Sequence, residues 1–135
     1  MKNLICAALL ATPAIASQPA AADGIADQLA ISDCAFDSHV HRLLECQATN
    51  HSDTPIAALL VALHITQPGR SVAWLDTTDS PLFRGPGVIP GGIEPGETIQ
   101  LSLSSPPLSP QADYDLIQID VTPLRATTAD GVVIE

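Results

Sequence analysis

The sequence predicts an all-β fold: an immunoglobulin-like antiparallel β-sandwich of about seven strands, preceded by a cleaved signal peptide. Three observations predict it. Apolar residues recur at every second position rather than with a helical period. The 12 prolines fall almost wholly in the gaps between these runs, where a missing N–H interrupts no ladder. The gaps themselves are built from Gly, Pro, Asn, Asp and Ser, the residues that make tight turns.

The chain opens with MKNLICAALLATPAIAS, which has a lysine in front, a short apolar stretch and small residues at Ala14 and Ala16. That is the order of a secretory signal, with cleavage expected after Ala16. The apolar stretch is shorter than the roughly 20 residues a membrane span requires. Cys6 is preceded by Ile5, not by the small residue of a lipoprotein box. The chain is therefore read as a signal peptide over 1–16, a flexible small-residue leader over 17–27 and one sandwich domain over 28–135. The expected location is the periplasm or the exterior.

Strands are expected at 28–36, 42–50, 57–66, 70–75, 98–104 and 113–122, with a short last one at 131–135. Leu44, Cys46 and Ala48 alternate with Glu45, Gln47 and Thr49. Leu59, Val61, Leu63 and Ile65 form one apolar row, and Ile117, Ile119 and Val121 another. Such alternation marks a strand with one face on a core. The stretch DTPIAALLVALHI also has a helical aspect, with Asp53 or Thr54 as a cap and Pro55 in the first turn. Strand is the preferred reading, because Asn50 to Pro55 joins two strand-like runs and a sandwich strand can be apolar on both sides near its start. Residues 76–92, including GPGVIPGG, are expected to be a long irregular crossing or a broken edge strand. After them, the turn at Pro95 and Gly96 sets where the strand of Ile99, Leu101 and Leu103 begins. A slip of one residue there would turn all three to water.

Charge narrows the partners. The chain has 15 acidic and 5 basic residues, a net charge of −10. Cleavage of the signal removes Lys2, the only lysine, and no acid. A nucleic-acid binder needs clustered Lys and Arg to displace counterions from phosphate, and no such cluster exists. An anionic membrane surface is disfavoured on the same ground. Like charge on every copy leads to the expectation of a monomer, and an envelope protein is the expected partner.

The succession CQATNHSDTPIAALLVALHI, QPGRSV, GGIEPGET and TADGVVI resembles small bacterial envelope immunoglobulin-like domains of the FxLYD type. More loosely, it resembles proteinase-inhibitor domains of the BsuPI type. The resemblance spans roughly residues 28–135. It implies an accessory or binding module and carries over no catalytic residue.

Read residue by residue, the chain offers few chemical groups. Cys34 and Cys46 are the cysteines left after cleavage, and in an oxidising compartment such a pair usually bridges. A structural disulfide is expected; two separately buried thiols is the alternative. Cys34 and Phe36 have the opposite parity to Leu29 and Ile31, so a bulge near Asp33 is expected to reconcile the two rows. His39 and His41, beside Asp37, have a spacing that could hold copper or zinc, which makes a small metal-handling protein the alternative function. His51 reads as a turn residue and His64 as an outward strand position. Ser38 beside His39 lacks the strand–turn–helix elbow of a hydrolase nucleophile. GPGVIPGG lacks the Lys-Ser/Thr ending of a phosphate loop. No catalytic residue and no cofactor are expected. Trp74, with Leu75, Leu82, Phe83 and Arg84 around it, is the candidate interface, since Trp and Arg are common hot spots. The function expected is that of an exported, non-enzymatic binding or accessory module.

Overall fold

The computed structural model describes residues 24–80 and 85–135. A helical turn, α1 (Ile25–Gln28), leads into eight strands: β1 (Leu29–Phe36), β2 (Leu43–Asn50), β3 (Ile56–Thr66), β4 (Leu75–Asp76), β5 (Gly85–Ile93), β6 (Thr98–Ser104), β7 (Gln118–Thr128) and β8 (Val133–Ile134). All pairings are antiparallel. They make two sheets, one ordered β1-β2-β6 and one in which β3 lies between β7 and the pair β4 and β5, with β8 beyond β7. The expected all-β sandwich is the fold observed. The signal peptide expected over 1–16 lies outside the described residues, as does most of the expected leader. The leader's last residues belong to α1, where Ile25 is buried.

The core lies between the sheets. Leu29, Leu44, Cys46, Ala48, Leu101 and Leu103 face it from one sheet. Ile56, Leu59, Val61, Leu63, Ile89, Ile93 and Ala126 face it from the other. These are the alternating rows of the sequence, and their burial is the main drive to close the sandwich. From Ile56 onward DTPIAALLVALHI is strand, not helix: β3 pairs with β7 along nearly its whole length.

Bulges set the registers. Ser32 faces Gln47 and Ala35 faces Glu45, so Asp33 and Cys34 together oppose Cys46. Asp33 takes a positive φ of 54°, a conformation that Asp tolerates better than most residues. Cys34 and Cys46 are joined by a disulfide across this bulge. The expected parity change near Asp33 and the expected bridge are thus one feature.

Two strand expectations are corrected, and for 76–92 the broken edge strand is the one of the two expected readings that is met. The strand expected at 70–75 shrinks to Leu75–Asp76, because 67–74 forms turns in which Arg70 N donates to Gln67 O. The strand expected at 113–122 begins at Gln118 and continues to Thr128. Its expected first residues form a turn, in which Leu116 N and Ile117 N both donate to Asp113 O. GPGVIPGG lies in β5, which pairs with the first half of β3. Between the end of β4 and the start of β5, Thr77 completes the edge of β3. Its Oγ1 accepts from Leu63 N at 2.8 Å and its own N donates to Leu63 O at 2.9 Å.

Candidate functional site

One pole of the sandwich gathers the β1–β2 hairpin, the turns after β3 and the loop before β7. In the hairpin, Asp37 Oδ1 accepts from His39 N at 2.8 Å and from Val40 N at 3.0 Å. Asp37 N donates to Leu43 O. The two N–H donors, His39 first, hold the Asp37 carboxyl below the usual carboxylate range. His39 and His41 are both exposed, and the His41 side chain reaches the loop before β7. Its ring stacks on Tyr114 at 4.2 Å between centroids, with the planes 19° apart. Phe36 meets the same tyrosine edge to face at 5.3 Å. A cleft of about 410 Å³, lined by Phe36, Asp37, His41, Tyr114, Asp115 and Ile117, opens beside the cluster.

After β3, Trp74 N donates to Ile65 O, which places the indole at the end of the strand. Trp74 Nε1 donates to Gln67 Oε1 at 2.9 Å, and the Arg70 guanidinium lies 4.0 Å from the ring centroid. Trp74 is half-buried, and Leu75 packs against the core from one side. Gln67 Oε1 also accepts from Asp113 N at 3.0 Å. A continuous path of contacts therefore runs Arg70–Trp74–Gln67–Asp113, and through Tyr114 to His41 and Phe36. The path joins three loops.

The residues singled out in the sequence separate accordingly. Trp74 and His41 belong to one connected surface, and His39 sits at its rim. Leu75 lies beneath it, while Leu82, Phe83 and Arg84 lie outside the described residues. His39 and His41 occupy a turn, so strand spacing does not align their rings. Among the described residues no group of three or more His, Cys, Asp or Glu side chains is placed to hold a metal ion. His51 is an exposed loop residue whose N donates to Gln28 O. His64, half-exposed on β3, lies 3.4 Å from the Asp76 carboxylate. The Asp76 carboxyl is held low first by the Thr78 hydroxyl and backbone N–H, with His64 a smaller cause.

Gln67, Asp113 and Tyr114 were missed in the sequence. Their segments read as a turn and as a strand, and only the long-range bond from Asp113 to Gln67 brings them together. The one available signal was Tyr114 itself, the sole tyrosine, flanked by two acids in a turn-like stretch. In comparison with known proteins, the chain matches no family model, no curated protein and no solved structure.

Proposed function

We propose that this chain is an exported, non-enzymatic binding module that engages an envelope partner through the Trp74–Tyr114 pole. One observation carries the reading. The chain is poor in aromatics, with one Trp, one Tyr and two Phe, yet Trp74, Tyr114 and Phe36 all lie on one bonded surface spanning three loops. Loops at one end of a rigid sandwich are a common place for recognition. Large rings held by neighbours bind at low entropy cost, because little freedom is left to lose. The likeness to FxLYD-type envelope domains implies the same kind of role. The Cys34–Cys46 bridge supports export, since such bonds persist in oxidising compartments.

The test is photo-crosslinking in an envelope preparation, with the probe at Trp74 or at Gln47 on the outer face of β2. A discrete adduct from the Trp74 position, absent from the Gln47 position, supports the reading. Equal labelling from both, or none from either, overturns it. In parallel, Trp74→Ala should cost only about 1–2 kcal/mol of stability, because the ring is half-buried. Calorimetric titration with Cu²⁺ and Zn²⁺ covers the alternative. Tight binding lost in His39→Ala/His41→Ala would replace the binding module with a metal-handling protein.

A further inference from the structure

Open sheet edges invite pairing with other chains, and proteins blunt them with short strands, bulges, prolines and charges. Among the described residues, four of the outer strands are blunted in this way. β1 is broken by the Asp33 bulge. β4 and β8 are two residues long. β5 carries Pro86, Pro90 and several positive-φ glycines. The flank of β7 that β8 leaves open contains Asp120 and Pro123. β6 differs. It has seven residues, TIQLSLS, with no charge, no Pro and no Gly, and its register with β2 is unbroken from Thr98 to Ser104. On its other side no described strand pairs with it.

The ladder shows which groups face outward. Asn50 N donates to Glu97 O and Ser105 N donates to Arg42 O. Both bonds fall on odd-numbered residues of the β6 segment. In an antiparallel ladder the bonded residues alternate, so Ile99, Leu101 and Leu103 bond to β2. The N–H and C=O groups of Thr98, Gln100, Ser102 and Ser104 therefore point to the open edge. Beside this edge runs a groove of about 360 Å³, lined by Pro86, Val88, Ile89, Ile99 and Leu101. Val88 there is 78% exposed.

We propose that the β6 edge pairs with the same edge of a second copy of this chain, joining two three-stranded sheets into one. The sequence of β6 complements itself across a two-fold axis at Leu101. Antiparallel pairing about that point sets Thr98 opposite Ser104 of the second copy and Gln100 opposite Ser102. These are the residues whose backbone groups face outward, so each finds a bonded partner. Ile99 then lies opposite Leu103, and Leu101 opposite its own equivalent, which continues the apolar row. No charge meets a like charge across the seam. This is the same-patch geometry of a two-fold dimer. The net charge of −10 opposes it at long range, but at physiological salt charges more than about 8 Å apart are largely screened. Pairing therefore tightens as salt is added. This inference stands apart from the Trp74 pole and does not depend on it.

Sedimentation equilibrium of the protein at low and moderate salt tests the proposal. A reversible dimer that strengthens with salt is expected. Gln100→Pro deletes an outward N–H and leaves the β2 ladder intact; it should weaken association roughly tenfold or more with little change in Tm. Gln100→Lys/Ser102→Lys sets like charges opposite each other across the axis and should also dissociate the dimer. Gln100→Lys/Ser102→Glu sets opposite charges there and should hold it. A monomer at every concentration and salt overturns the proposal, as does a dimer indifferent to all three variants. A monomeric chain that instead binds an unrelated extended peptide along β6 assigns the edge to a different partner and overturns it too.

Discussion

Asn50 has no exposed surface, and its whole amide is bonded. Nδ2 donates to Thr54 O at 2.8 Å and to Ile93 O at 2.9 Å. Oδ1 accepts from Ser52 N and Ser52 Oγ. Its backbone N donates to Glu97 O and its backbone O accepts from Gly96 N. One side chain thus holds the loop after β2 against the turn before β6. Asn50→Asp should be the more damaging substitution, since a carboxylate would face two carbonyl oxygens with no donor to offer. We expect about 3 kcal/mol or more lost, against about 2–3 for Asn50→Ala, where buried carbonyls merely lose their partner. Urea midpoints of the three proteins check this ranking, and an Asp variant as stable as the parent would refute it. At this scale the sequence was half legible. The turn residues at 50–52 and 95–97 stood out by composition. Their union through one amide did not, because 43 positions separate Asn50 from Ile93 and no local pattern encodes that distance.

Among the elements, β5 is where local pattern misleads most. Glycines and prolines signal loop, yet Gly85, Pro86, Gly87 and Val88 pair with β3 and so does Ile93, while 89–92 loop out opposite Ala57. The reason for the glycines is visible at Gly92. Its φ is +64°, and an added Cβ would lie 2.7 Å from the backbone oxygen of Ile56. Gly92→Ala should therefore cost several kcal/mol, since neither backbone can yield without breaking the β3 register. Gly96 has a similar φ of +77° with nothing within 4 Å of an added Cβ. Gly96→Ala should cost only about 1–2 kcal/mol, the left-handed penalty alone. Thermal melts of the two variants separate steric contact from backbone preference; equal losses would remove the contact from the explanation. β7 was misplaced for a related reason. Val61 faces Pro123 and Leu60 faces Arg125, so Leu124 bulges out. The inward parity then changes from Ile119 and Val121 to Ala126 and Thr128. A proline followed by a change of parity imitates a strand end. By contrast β2, β3 and β6 keep one parity over most of their length, and these were legible almost to the residue.

For the molecule as a whole, the disulfide links the core to the Trp74–Tyr114 pole. Cys46 is buried in the core, and Cys34 is two residues from Phe36, whose ring packs on Tyr114. The bridge closes a short loop, with a sequence separation of 12, which the chain-entropy model values at roughly 3 kcal/mol. Against that stands the left-handed Asp33, worth about 1–2 kcal/mol at most, so the bridge outweighs the local cost of its bulge. Stability of a single domain is about 5–15 kcal/mol. Losing about 3 should leave the sandwich folded but lower its Tm by roughly 10–20 °C. Cys34→Ala/Cys46→Ala, or reduction of the parent, is expected to produce this shift in a calorimetric melt. The end of β1 should then move more freely, so the Phe36–Tyr114–His41 stack should loosen before the core does. Amide hydrogen exchange at 34–41 would report that loosening, while Leu59 and Leu63, in the middle of β3, stay protected. A Tm unchanged on reduction, or exchange that rises equally across β3, would show that the bridge does not hold the pole to the core.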